Sequence, residues 1–235
     1  AMAARTMENE NDRRMTIMLL PFVSCSAKLP VYGLIASAFF DEYRGLVVLS
    51  LYVLGIVVGI LTGILFRRTL FRSNNAAFVL ELPPYRWPSM KNTLLHVGER
   101  VGHFLEKAGT IILLMSVVLW FLMRFTPTLE MTAETERSIL GVVGGWIAPV
   151  FGPLGFGTWQ ASVALLSGLV AKEAVNSSLS MFLGATGDAL TDALAGLFSP
   201  LSAYCFLVFV LLYVPCMAAV ATMRRELGSA KYMWF

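Results

Sequence analysis

From Gly45 to Phe66 the chain runs for 22 residues without a charged side chain. As a helix, that run is about 33 Å long at 1.5 Å per residue, enough to cross the hydrocarbon of a bilayer. A soluble helix of this length would need a polar face, and this one has none. The whole chain agrees: 57% of its residues are apolar and 14% charged, with mean hydropathy +0.71. Soluble domains carry about 25% charged residues. So much apolar surface excludes a disordered chain. Three cysteines in 235 residues are too sparse for a disulfide-stapled secreted module. A net charge of +3, with the basic residues lying between apolar runs, argues against a nucleic-acid partner. The expected fold class is all-α: a polytopic transmembrane helical bundle with broken or re-entrant helices.

Gly55, Gly59 and Gly63 recur at every fourth position and share one face, as in a close helix–helix contact. Further crossings are expected at Ala108–Met123 and Pro200–Met223, with Arg124 and Arg224-Arg225 placed to reach headgroups. Two other segments are apolar but interrupted. Thr16–Phe40 contains Pro21, Lys28 and Pro30; Gly141–Gly184 contains Pro149, Pro153, several glycines and Lys172-Glu173. Proline removes a backbone donor and clashes with the preceding turn. In hydrocarbon, the carbonyls this frees need partners, so broken helices persist only inside protein or beside a watery cavity. Transporters place substrate sites at such breaks.

Loop charge orients the chain. Arg67–Lys107 holds seven basic and three acidic residues, and Arg224, Arg225 and Lys231 stand against Glu226 in the tail. Both belong in the cytoplasm by the positive-inside rule. Phe125–Ser138 and Ala185–Ser199 are acidic and fall outside, so the chain must leave and return between Ser138 and Asp188. The Gly/Pro content there favours a re-entrant hairpin over two crossings. Ala1–Arg14 is charged and lacks the apolar core of a signal peptide. It reads as the cut edge of a longer chain.

Three ionisable groups lie deep in the apolar segments: Lys28, Lys172 and Glu173. Such groups usually face a bundle interior. On a helix, Asn176, Ser177 and Ser180 fall at i+3, i+4 and i+7 from Glu173, a polar stripe suited to a cation. An ion pair of Glu173 with Lys28, pinning two broken helices, is the structural alternative. If helical, Pro21–Pro30 puts Ser24, Cys25 and Lys28 on one face. Thiol and carboxylate ligands suit soft-to-borderline divalent metals better than Mg²⁺ or Ca²⁺. Cys25 also reads as a small buried hydrophobe. Pro215-Cys216 repeats the proline-near-cysteine pattern, so Cys216 and Cys25 become partners if the breaks meet, whereas Cys205 reads as packing. His96, Glu99 and His103, at i, i+3 and i+7, read as a solvated or headgroup-facing helix rather than a metal patch. The sequence contains no G-x-x-x-x-G-K-[ST] phosphate loop, no H-E-x-x-H and no G-x-S-x-G. No histidine lies in an apolar span to act as a base. These absences disfavour an intramembrane enzyme.

Four ordered stretches carry a resemblance. Arg13-Arg14-Met15-Thr16-Ile17 runs on to PFVSCSAKLPVYGLIASAFF; then come LELPPYRWPSMKNTLLHVGERVGHFLEKAGTIIL, LLSGLVAKEAV and LYVPCMAAVATMRRELGS. Together they resemble the membrane domain of the ferrous iron transport protein B (FeoB) family. The resemblance implies the C-terminal half of that domain. Residues 1–66 would be the Cys-containing broken helix and the next crossing, 67–103 a basic cytoplasmic loop with an amphipathic helix, and 104–235 the second gate-like, nucleoside-recognition-like domain. It implies Fe²⁺ as the transported substrate and no GTP site in this chain. The GTPase domain and first gate would lie elsewhere, in cis or in trans. Expected partners are the lipid bilayer, a small cytosolic FeoA-type protein and further copies of the chain, in a multi-pass protein of the bacterial inner membrane. The family's proposed metal contacts match Cys25, Glu173 and Cys216; Ser24, Lys28, Asn176, Ser177 and Ser180 would border the ion path. Ser26 stands where many members have Gly, and Asn176-Ser177 stand where apolar or small residues are common. Two rival functions remain: a nucleoside-type permease, for which Asn176 and Gln160 are thin support, and a non-conducting scaffold working through the glycine face and the basic loop.

Overall fold

The computed structural model describes residues 4, 7, 9–69, 89–128, 130–132, 135–184 and 188–227. Residues 70–88 of the expected basic loop fall outside them, as do Lys231 and the side chain of His103. Ten helices are described: α1 (Glu10–Leu19), α2 (Leu29–Phe39), α3 (Arg44–Thr69), α4 (Met90–Arg124), α5 (Ile139–Phe151), α6 (Trp159–Val170), α7 (Ala174–Leu183), α8 (Asp188–Leu197), α9 (Pro200–Leu212) and α10 (Met217–Leu227). Their starts follow local chemistry. Asn9, Ser138, Thr158 and Ser199 each turn a side-chain oxygen onto a backbone N–H of the first turn of α1, α5, α6 and α9. Those N–H groups have no partner within the helix. Pro200 follows at the first position of α9, where its missing N–H costs nothing.

Among the described residues, three segments are long and apolar enough to cross a membrane: Glu10–Phe39, Asp41–Thr69 and Pro200–Leu227. The first and last are each interrupted. α3 is the uninterrupted span expected at 45–66, and Leu46, Leu49, Val53, Ile56, Ile60, Leu61, Ile64 and Leu65 on it are exposed. In water that would be a large apolar patch; in lipid it is the solvated face. The protein is a multi-pass helical membrane bundle.

Its glycine face is a contact. A Cβ on Gly55 would sit 2.8 Å from the Phe22 carbonyl oxygen and 3.3 Å from a Leu211 methyl, and one on Gly63 would sit 3.2 Å from a Leu19 methyl. The glycines therefore let α3 lie against the end of α1 and the turn that follows it. The main core gathers around α2, whose Val31, Tyr32 and Ile35 meet Leu51 of α3, Val175 and Leu179 of α7, Leu190 and Leu194 of α8, and Phe206, Leu207 and Leu211 of α9. A smaller cluster joins Ile17 and Met18 of α1 to Met223 and Leu227 of α10.

α4 is longer than expected. The amphipathic stretch 92–107 and the apolar span 108–123 form one rod of 35 residues, because nothing between them removes a backbone donor. At about 52 Å the rod exceeds the hydrocarbon thickness and extends into the aqueous phase. α5 and α6 meet at a 105° bend. At 13, 12 and 10 residues, α5, α6 and α7 run about 20, 18 and 15 Å, so none crosses the bilayer alone. Ser178 on α7 donates to Ser167 on α6 at 2.8 Å, and Ser167 donates to the Ala164 carbonyl at 2.7 Å, closing this hairpin with buried hydroxyls.

Candidate functional site

Three helix breaks lie close together. The first separates α1 from α2. Pro21 closes the α1 ladder in a short 3₁₀ turn, Val23 and Cys25 are extended (ψ 130° and 160°), and a second short turn, Ser26–Lys28, leads into α2. The segment between the prolines is not the helix that would put Ser24, Cys25 and Lys28 on one face. Cys25 is exposed, whereas Lys28 is turned inward and 3% exposed.

The second break separates α9 from α10. α9 ends at Leu212, Tyr213 is extended (ψ 169°), and Pro215 and Cys216 precede α10. Pro215 disfavours helical backbone at Val214 and removes a donor. The third break separates α6 from α7 at Ala171–Glu173, where Ala171 is extended. Lys172 there is 2% exposed.

The two lysines tie the breaks together. Lys28 Nζ donates to the Leu211 carbonyl at 2.9 Å and to the Pro21 carbonyl at 3.3 Å. Lys172 Nζ donates to the Val214 carbonyl at 3.0 Å and sits 3.2 Å above the centre of the Tyr213 ring. Each of these oxygens belongs to backbone that an unbroken helix would have satisfied. The alternative read from sequence, an ion pair of Lys28 with Glu173, is replaced by carbonyl bonds: Lys28 does pin two broken helices, but through backbone oxygens. Burial of an ammonium in hydrocarbon is costly, and strong acceptors together with an aromatic face offset part of that cost.

Both thiols enter this locality. Cys25 lies in the first break and Cys216 in the second, 191 positions apart, and Lys28 bonds to backbone beside both. Cys205 is half-buried on α9 and packs against the main core. Glu173 is exposed, with Ser177 exposed and Asn176 and Ser180 half-buried along the same helix. The polar stripe therefore exists and borders an open face. Among the described residues, no three His, Cys, Asp or Glu side chains converge into a closed metal site. Cys25 and Glu173 are exposed and Cys216 is half-buried. His96 is exposed, with Nδ1 3.7 Å from Glu99.

Among the described residues, four buried side-chain oxygens next to the breaks lack a hydrogen-bond partner: Ser24 Oγ, Tyr32 OH, Asn176 Oδ1 and Tyr213 OH. Ser24 lies beside Tyr32 close enough to interact, but without regular hydrogen-bond geometry. Ser24 and Asn176 were foreseeable from sequence. Tyr32 and Tyr213 were not, because an aromatic in an apolar run reads as packing until its hydroxyl is seen unspent. The ring of Tyr213 stacks on Phe209 at 5.6 Å, and its hydroxyl is wedged against Gly168 and Val175.

Comparison with known proteins agrees with this architecture. Residues 48–100 match the family model described as the ferrous iron transport protein B C terminus, and residues 105–230 match the Gate model, described as nucleoside recognition. The change from one to the other falls within α4. The Fe(2+) transporter FeoB of Staphylococcus aureus (strain COL) is 44% identical over 98% of this chain and 35% of its own length. That of Methanocaldococcus jannaschii is 42% identical over 97% of the chain and 35% of its own length. A Fe(2+) transport protein A/Fe(2+) transporter FeoB fusion protein of Porphyromonas gingivalis is 36% identical over the whole chain and 33% of its own length. The chain thus spans about a third of the length of the curated relatives it matches. No solved structure matches it. The chain belongs to the ferrous iron transport protein B family, carrying that family's C-terminal segment followed by a Gate domain.

Proposed function

We propose that the chain is the ion-conducting membrane part of a ferrous iron transporter, and that Fe²⁺ passes Cys25, Glu173 and Cys216 in sequence. The observation that carries this reading is that Lys28 bonds to backbone on both sides, tying the break that holds Cys25 to the break that holds Cys216. Thiol ligands suit Fe²⁺ better than the harder divalent cations. The unspent oxygens of Ser24 and Asn176, and the hydroxyls of Ser177 and Ser180, replace part of the ion's hydration shell. An open, weakly ligating surface suits conduction, because a site that holds too tightly cannot release. Lys28 borders the path from the buried side.

The remainder of the relatives' length would supply the GTPase domain and the first gate, in cis or in trans, and nucleotide-driven motion would open the path. The FeoA–FeoB fusion in a relative supports a small FeoA-type partner. The setting is a bacterial inner membrane, with Arg224 and Arg225 in the cytoplasm. The chain itself performs no catalysis in this reading.

The test is radiolabelled Fe²⁺ uptake by the full-length protein carrying this chain, produced in cells without their own ferrous uptake. Cys25→Ser, Glu173→Ala and Cys216→Ser should each lower uptake at least about fivefold at equal membrane abundance, a loss of roughly 1 kcal/mol at the limiting step. Near-normal uptake in all three removes these residues from the path.

A further inference from the structure

The break between α9 and α10 has its oxygens occupied by two ammonium groups. Leu211 lies in the last turn of α9 and Val214 within the break, and Lys28 takes the first carbonyl while Lys172 takes the second. Neither lysine belongs to this part of the chain, and both are at least 97% buried by their 3% and 2% exposures. Lys28 stands three residues from Cys25, and the carbonyl held by Lys172 stands two residues before Cys216. Backbone carbonyls of an unwound membrane helix are the groups that elsewhere replace a cation's hydration. Here a cation already sits on them, covalently tethered.

We propose that Lys28 and Lys172 form a tethered-cation barrier. Their ammonium groups hold the freed carbonyls of the break and repel a divalent cation from Cys25 and Cys216 until motion of the broken helices draws them away. This rests on the reading of the two thiols as cation contacts. The physical argument is one of charge. A divalent cation at the thiols meets the positive charge the lysines carry in a medium of low dielectric constant, and the repulsion scales with the product of the charges. A lysine whose charge the thiols do not feel would be replaceable by a neutral donor with no change in reactivity or cation affinity at the thiols. A barrier lysine would not.

The field is read on the unmodified chain in lipid nanodiscs. An anionic and a cationic methanethiosulfonate of similar size are reacted with it, and each cysteine is followed by mass spectrometry. The anionic-to-cationic rate ratio at Cys25 should exceed that at Cys205 at least about tenfold. Lys28→Gln and Lys172→Gln, which keep a donor and remove the charge, should each lower the Cys25 ratio, and Lys28→Arg should preserve it. In parallel, Co²⁺ protection of Cys25 and Cys216 from alkylation should have a midpoint at least about tenfold lower in the Gln variants. Equal ratios at Cys25 and Cys205 in the unmodified chain overturn the barrier without needing any variant to fold. Protection in the unmodified chain with the same or a weaker midpoint in folded Gln variants overturns the barrier and leaves the thiol contacts standing. No protection in any of them overturns both.

Discussion

The ammonium of Lys28 lies 2.9 Å from the carbonyl oxygen of Leu211, a bond joining positions 183 apart in the chain. Its second bond, to Pro21, holds the other side of the α1–α2 break. Lys28→Met should remove both donors while keeping the apolar stem. An orphaned carbonyl costs about 1–3 kcal/mol, and release from burying an ammonium returns part of that. A net destabilisation of about 2–4 kcal/mol is expected. Thermal unfolding in nanodiscs reads it, and an unchanged midpoint would mean that the carbonyls find other partners.

Gly55 and Gly59 share a face of α3 but should respond differently to alanine. A Cβ on Gly55 would stand 2.8 Å from the Phe22 carbonyl, a rigid neighbour. A Cβ on Gly59 would stand 3.7 Å from the Phe22 Cβ, an ordinary contact. Gly55→Ala should therefore cost about 1–3 kcal/mol through overpacking. Gly59→Ala should be neutral or stabilise by up to about 1 kcal/mol through helix propensity. Equal unfolding midpoints for the two variants would contradict this packing.

Gly168 and Tyr213 make a further pair. A Cβ at 168 would collide with the Tyr213 hydroxyl and the Val175 side chain, and Tyr213 carries the ring beneath the Lys172 ammonium. Gly168→Ala should displace the ring and destabilise the α6–α7 break. Tyr213→Phe alone should be nearly neutral, since its buried hydroxyl has no partner to lose. Combined, the two changes should recover part of the Gly168→Ala loss, a coupling of about 0.5–2 kcal/mol in a double-mutant cycle. Strict additivity would place the strain at Val175 instead.

Much of this was legible in the sequence, and for physical reasons. The α3 span follows from 22 uncharged residues, and the glycine repeat correctly marks its contact face. The break near Pro21 follows from a missing backbone donor, whereas the one near Pro215 interrupts a span expected to cross as an ordinary helix. The polar stripe from Glu173 to Ser180 follows from helical spacing. The partners of Lys28 and Lys172 were not legible, because backbone carbonyls carry no side-chain signature and lie 183 and 42 positions away. The conformation of Ser24-Cys25 was also hidden: two prolines nine apart allow a helical turn or an extended stretch between them, and only packing against α3 and α9 decides. α4 ran past its expected start for the opposite reason, since a change from amphipathic to apolar alters the surroundings of a helix without interrupting its hydrogen bonds.

The hydroxyl pair on the α6–α7 hairpin gives an asymmetric prediction. Ser178 donates to Ser167, which donates onward to the Ala164 carbonyl; all three lie in a dry interior. Ser178→Ala removes one donor and leaves Ser167 bonded, so its cost should stay near the 0.5–1.5 kcal/mol net value of about one hydrogen bond. Ser167→Ala leaves the Ser178 hydroxyl buried without an acceptor and should cost about 1–3 kcal/mol. Replacing both by alanine should cost less than the sum of the single changes, because the orphan is removed with its partner. The cycle is measured by unfolding in nanodiscs. If Ser178→Ala proved the more damaging single change, the direction of the hydrogen-bond chain would have to be reversed.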